Sequence, residues 1–211
     1  MALLRGNLHT HTSLSDGQHP VEEVLALYRD LGYDFLAITD HDDRISADYW
    51  SRLPARAGGM IVLPGVEIDY RPLSEPTGRV FGGGQHIGKI FGEGEELYIL
   101  NHPGRYGLSA TEAWLRVEAL RNAGLPIHAV EVTDGGVYRP EYDVPDLPAP
   151  KVATDDSHRS ADIGRAWIEV DAPRTPGGLV RAIKAGDFRM GFRPAPPAVR
   201  GGSSPDGSDP R

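Results

Sequence analysis

The sequence contains no cysteine. Disulfides and thiolate-bound zinc or iron–sulfur centres are therefore excluded, and any metal must be held by His, Asp or Glu. Positive charge is in deficit, with 22 Lys and Arg against 30 Asp and Glu and a formal net charge of −8. That balance argues against an extended duplex nucleic-acid surface, which needs clustered Lys and Arg. It leaves small anionic substrates open, because bound cations reverse the local sign. No apolar run approaches the roughly 18 residues of a membrane span, and the apolar stretch in "MALLRGNLHT" is too short for a signal peptide. The expectation is a cytoplasmic protein with no membrane contact and no obligate protein partner.

The 211 residues suit one domain. The last 19, from Arg193, contain 11 Pro, Gly or Ser, so a folded domain over 1–192 and a disordered tail over 193–211 are expected. Within the domain, apolar runs bounded by turn residues predict strands at 35–39, 61–68, 97–100, 127–132, 151–154 and 166–170. Helices are predicted at 20–31, where Val21, Val24, Leu25, Tyr28 and Leu31 form a stripe, at 110–123 behind a Ser109/Glu112 capping box, and at 176–185 after Thr175. A weaker helical pattern covers 46–57. Alternating strands and helices imply a parallel sheet with helical crossovers. Roughly 190 folded residues suit a barrel smaller than the usual eightfold one, of about seven strands.

The chemistry-bearing residues fall at matching places on this frame. "HTH" puts His9 and His11 on one face at the end of the first strand, because strand side chains alternate. Asp16 follows in "SDG". His41 in "ITDHD", Glu67 in "GVEID", His102 in "LNHP", and Asp156 and His158 in "DDSH" each lie at a strand end. Any one of them alone is more simply a hydrogen-bonded structural residue. Together, without cations, they would cost several kcal/mol in desolvation and like-charge repulsion. Bound metal removes both costs.

In order along the chain, "HTH" with "SDG", "TDH", "GVE", "NHPGRY" and "DSH" resemble the sequence blocks of the PHP family, named for polymerase and histidinol phosphatase. "HIGKIFG" resembles the block in which a histidine opens a strand, which adds His86. The resemblance implies a distorted seven-stranded α/β barrel, the TIM-like PHP fold, and three divalent ions, with Zn, Mn and Fe as candidates. It implies one metal on His9, His11, Glu67 and Asp156, a second on Asp16, His41 and His158, and a third sharing Glu67 with His86 and His102. Three divalent ions outweigh three carboxylates, so the site would attract an anion such as phosphate. A water bridging two ions would lose its proton and attack, with Asp16, His41 and His158 around the reacting centre. Arg105, three residues after His102, could fork onto a phosphate.

Other residues have two readings each. Asp40 either orients the His41 imidazole or closes an Asx turn. Glu131 either faces the barrel lumen near the metals or lies on a solvated edge. His128 would face the helices as a structural residue, and His19 would sit exposed at a helix start. Longer PHP members insert a subdomain between the two histidines of the third metal. Here only 15 residues separate His86 from His102, so a more open site is expected. The stretch "GRAWIEVDAPRTPGGLVRAIKAGDF" resembles short PHP members related to carbamate and ester hydrolases. The leading expectation is a metal-dependent phosphoesterase acting on a small phosphorylated molecule or short oligonucleotide. The rivals are hydrolysis of an ester, amide or carbamate at the same centre, and a non-catalytic metal-stabilised regulatory module.

Overall fold

The computed structural model describes residues 3–71 and 84–194. The elements run β1 (Leu4–Asn7), α1 (Val21–Asp30), β2 (Phe35–Ile38), α2 (Tyr49–Arg52), β3 (Arg56–Ala57), β4 (Met60–Tyr70), β5 (Gln85–Phe91), β6 (Glu96–Leu100), α3 (Ala110–Asn122), β7 (Ala129–Glu131), β8 (Thr133–Asp134), β9 (Val137–Tyr138), β10 (Lys151–Val152), β11 (Ala166–Val170), α4 (Pro176–Ala185) and β12 (Phe188–Phe192).

Local signals account for three helices. Pro20 stands before α1 with Glu22 and Glu23 in the first turn, where carboxylates oppose the helix dipole. Ser109 and Glu112 close both arms of the capping box on α3. The Thr175 hydroxyl accepts the Gly178 N–H at 3.1 Å at the start of α4, and Gly186 ends that helix at φ 80°. The weaker pattern over 46–57 yields only the single turn α2. Leu53 precedes a proline, whose ring disfavours the helical region, and it is extended at φ −92°. Arg56 and Ala57 then pair antiparallel with β4 instead of continuing a helix.

Nine strands run in the order β10-β7-β6-β5-β4-β2-β1-β11-β12, with β3 against β4. The all-parallel expectation holds for β1-β2-β4 and for β6-β7-β10. It fails elsewhere: β5 runs antiparallel to both β4 and β6, and β11 runs antiparallel to β1 and β12. Apolar patterning records burial of a strand but not its direction. Beyond β1 and β10 the chain forms a parallel bridge between Thr10 and Ser157, with the His11 N–H donated to the Ser157 carbonyl at 2.9 Å. That seam closes the curved sheet into a nearly complete barrel at its mouth. Arg193, expected in the tail, belongs to the fold: its backbone N–H is donated to the Arg165 carbonyl at 2.7 Å and its guanidinium to the Ile163 carbonyl at 2.8 Å. The remainder of the tail, from 195, lies outside the described residues.

β2 shows how the layers arise. Phe35 and Ala37 point into the barrel cluster with Leu63 and Ile99, while Leu36 and Ile38 face α1 through Val24 and Tyr28. Leu31, read as part of the α1 stripe, is 45% exposed because the helix has already ended. α3 covers the β6–β7 side through Val117 and Leu120. Among the described residues, no helix is long and apolar enough to cross a membrane. Gly6 on β1 sits against Phe35, and a methyl group there would overlap the Phe35 ring. Gly6→Ala is therefore expected to destabilise the fold by about 1–3 kcal/mol, read as a lower denaturant midpoint at unchanged slope.

Candidate metal centre

The barrel brings all nine expected ligands to one mouth. β1 ends at Asn7, earlier than expected, and the Asn7 Oδ1 accepts the His9 N–H at 3.0 Å. The chain stays extended enough for His9 and His11 to share a face, with their Nε2 atoms 3.1 Å apart. His41, just past β2, forms a parallel bridge with Glu67 on β4. His86 enters on β5, opposite Asp69. His102 follows β6 at φ 26°, and Asp156 follows β10 at φ 46°. Among the described residues, these are the two non-glycine positions with positive φ. Such backbone costs about 1–3 kcal/mol and persists where surrounding contacts impose it.

Glu67 is the hub. Its Oε1 lies 3.1 Å from His9 Nε2, 3.2 Å from His86 Nδ1 and 3.2 Å from His102 Nε2. Its Oε2 lies 3.3 Å from His11 Nε2 and 3.5 Å from His41 Nδ1. Asp156 Oδ1 is 3.3 Å from the Nε2 atoms of both His9 and His11. Asp16 lies 3.4 Å from His11 and from His41, and 3.5 Å from His158. Ligand atoms about 2.0–2.1 Å from a tetrahedral ion stand about 3.3 Å from one another. The observed spacings fit that edge length. Four overlapping groups could each hold an ion: His11, Asp16, His41 and His158; His9, Glu67 and His102; His9, His11 and Asp156; His41, Glu67 and His86. The sharing is wider than expected, since His9, His11 and His41 each serve two groups. Asp156 Oδ1 is buried and accepts no hydrogen bond. A carboxylate oxygen so placed, facing two imidazole nitrogens, fits a divalent cation between them.

The electrostatics agree. Burial disfavours charge on His11, yet Asp156 and Glu67 overcome it and raise its pKa to about 9. Burial likewise opposes charge on His9, and Glu67, Asp156 and Glu131 raise it well above its ordinary value. Against burial, the surrounding imidazoles hold Glu67 and Asp156 well below the usual carboxylate range. The centre thus calls for positive charge, which protons or divalent ions supply in competition.

A second layer holds the ligands. Glu131, left with two readings by the sequence, is fully buried in the lumen. Its Oε2 accepts the His102 backbone N–H at 3.0 Å and lies 3.3 Å from His9 Nδ1. Its Oε1 accepts the Thr133 and Thr154 hydroxyls. An Nδ1–H held by Glu131 leaves the His9 Nε2 lone pair facing the metal groups. Asn101 donates to Glu67 Oε1 at 2.8 Å, and the Tyr106 hydroxyl accepts the His86 N–H at 3.0 Å. Neither was read as part of the site; for Asn101 the one signal was its place directly before His102. Asp40 does not orient His41. It accepts the Thr12 N–H and hydroxyl, each at 2.8 Å, and the Ser15 hydroxyl at 2.6 Å, and so fixes the loop that carries Asp16. Arg105, expected to meet a phosphate, donates to Asp134 at 2.8 Å and also to Asp156 Oδ2. That contact places its guanidinium on the Asp156 carboxylate.

Two histidines lie elsewhere. His19 is partly buried rather than exposed, bonded to Glu23 at 2.9 Å and Ser160 at 2.7 Å. His128 is structural as expected, its Nδ1 accepting the Tyr98 N–H at 3.0 Å. Burial, then Lys184 and Arg121, depress its pKa to about 4. Folding therefore disfavours the proton, and stability falls as the pH drops from about 6.5 towards 4. His128→Asn keeps an acceptor for Tyr98 and does not titrate. It should flatten that acid limb by about 1 kcal/mol after allowing for solvent screening of a half-exposed ring, measured by urea melts at pH 7 and pH 5.

The fold thus gathers His, Asp and Glu side chains into groups that could hold metal ions. The PHP domain profile matches residues 7–132, and the PHP-associated profile matches residues 146–188. The chain belongs to the PHP family. No curated protein matches it by sequence. Solved structures share the fold. A two-domain protein from Bacteroides vulgatus, containing a predicted PHP-like metal-dependent phosphoesterase, is 22% identical with a TM-score of 0.65 over 90% of this chain. The match spans 65% of that longer protein. An amidohydrolase from Chromobacterium violaceum is 15% identical, with a TM-score of 0.60 over 87% of this chain and 97% of the other. PsfC from Pseudomonas syringae is 16% identical, with a TM-score of 0.59 over 92% and 93%.

Proposed function

We propose that the protein is a phosphoesterase acting on a small phosphorylated molecule or short oligonucleotide, with up to three divalent ions in the centre. The observation that carries this reading is the ligand balance. Six imidazoles and three carboxylates converge there, so a centre loaded with three divalent ions is net positive within a net negative chain and suits an anionic group. Access supports the reading. The His9, His11, Glu67 and His102 side chains are at most 2% exposed and His41 is 8% exposed, whereas His86, Asp16 and His158 are 23%, 29% and 31% exposed. Substrate therefore meets the centre on the side of Asp16, His86 and His158. Divalent ions bound there would polarise the phosphoryl oxygens and lower the pKa of water. Glu131 keeps His9 in one tautomer, Asp40 fixes the Asp16 loop, and Arg105 holds Asp156, so the ligands meet the reacting group already oriented.

A second reading is hydrolysis of an amide, ester or carbamate at the same centre. The fold likeness to the Chromobacterium violaceum amidohydrolase favours it, and the same ligands could serve a carbonyl substrate. The test is a hydrolysis screen of protein reconstituted with Mn or Zn, with phosphomonoesters, phosphodiesters and carbamate esters side by side. Turnover of a phosphoester class is expected. Turnover of carbamates alone overturns the phosphoesterase reading and leaves the hydrolase standing.

A further inference from the structure

The residues that alternate with the ligands form a cluster of their own. Thr10 lies between His9 and His11, and Ser157 lies between Asp156 and His158. The four ligands turn into the mouth and the two hydroxyl residues turn away from it, by strand alternation at His9–Thr10–His11 and beside the left-handed turn at Asp156 on the other segment. Both meet one phenol. Tyr28, on the inner face of α1, is fully buried, as are Thr10 and Asp155, and Ser157 is 2% exposed. The Tyr28 hydroxyl donates to Asp155 Oδ2 at 2.9 Å. It lies 3.0 Å from the Ser157 Oγ and accepts the Thr10 hydroxyl at 3.4 Å. Asp155 in turn accepts the backbone N–H groups of Gly164, Arg165 and Ala166 at 2.6–2.8 Å, where β11 begins. Burial and the neighbouring Asp155 push the Tyr28 phenol well above its ordinary pKa, so it keeps its proton.

We propose that Tyr28 is a positioning residue for the metal centre: one phenol behind the Thr10–Ser157 seam sets the spacing between the His9/His11 pair and the Asp156/His158 pair. Those two pairs come from strands far apart in the sequence. The single parallel bridge between them spans one residue on each side. Around that bridge the His11 N–H is donated to the Ser157 carbonyl at 2.9 Å and the Gln18 N–H to the His158 carbonyl at 2.8 Å. The Tyr28 oxygen, shared by both hydroxyls and by Asp155, adds a side-chain tie from behind, where it meets none of the ligand side chains. The position is legible only in three dimensions. In the sequence Tyr28 reads as one more member of the α1 stripe, and its hydroxyl has no visible task.

The inference rests on the chain binding metal but not on the choice of a phosphoester substrate. The test titrates Co²⁺ alone into metal-free full-length protein and into Tyr28→Phe and Ser157→Ala, following the visible ligand-field bands. Circular dichroism checks the fold of each. Tyr28→Phe should weaken Co²⁺ affinity about tenfold and shift the bands, the scale seen when groups supporting metal ligands are removed. Ser157→Ala should do the same to a smaller extent. A Tyr28→Phe protein that melts earlier but binds Co²⁺ with unchanged affinity and spectrum overturns the proposal, since the phenol is then structural only. If Tyr28→Phe does not fold, Ser157→Ala decides alone, and an unchanged affinity and spectrum overturn it. Wild-type protein that takes up no Co²⁺ would overturn the metal centre as well, a failure distinct from that of Tyr28.

Discussion

Glu67→Ala is expected to abolish hydrolysis, by at least about a thousandfold, and to lower the divalent metal bound per chain by elemental analysis. The two Glu67 oxygens stand within 3.5 Å of five imidazoles, those of His9, His11, His41, His86 and His102. No other side chain in the centre reaches so many. Alanine would take the shared carboxylate from all five rings, leaving Asp156 beside His9 and His11 and Asp16 beside His11 and His41, so ions bound there would lose both charge compensation and a ligand. Asp156→Ala should act in the same direction and also release Arg105, whose guanidinium it shares with Asp134. Full metal content in Glu67→Ala would show that the cluster is not the binding site.

The second large effect is expected one layer out. Glu131→Ala should weaken metal binding about 10–100-fold, measured by titration calorimetry on metal-free protein. The carboxylate faces His9 Nδ1, the His102 backbone N–H and two threonine hydroxyls at once. Removing it frees the His9 ring to turn and leaves a buried N–H without a partner. Glu131→Gln should lie between wild type and alanine. The amide oxygen can still accept the His102 N–H while its NH₂ meets the hydroxyls, but the negative charge behind His9 is gone. If alanine and wild type bind metal equally, Glu131 belongs to the core rather than to the centre.

How far the sequence carries depends on whether a feature is local. α3 and α4 start directly after Ser109 and Thr175, because caps act within one turn, and α1 starts directly after Pro20. The nine residues that meet at the mouth are legible because each sits in a short sequence block. Strand direction was not legible: β5 reads as an ordinary buried strand, and only its pairing with β4 and β6 shows that it runs backwards. The supporting layer was half legible. Glu131 could be assigned to one face of its strand, but which face was the lumen depended on barrel closure. Asp40 adjoins His41 in the sequence but serves Thr12 and Ser15, 28 and 25 residues away. Nothing in "HPGRY" says that Arg105 pairs with Asp134 and Asp156.

The left-handed backbone at His102 and Asp156 sets a condition on moving this centre to another scaffold. Copying nine side chains onto a regular barrel would aim these two along the strand axis rather than across the opening. A designer would have to graft the local chain reversal as well, and keep whatever stabilises it. In laboratory evolution, the same twist should make glycine-tolerant neighbours more permissive than the ligands themselves, so variants that retune this centre should accumulate in the turns beside it.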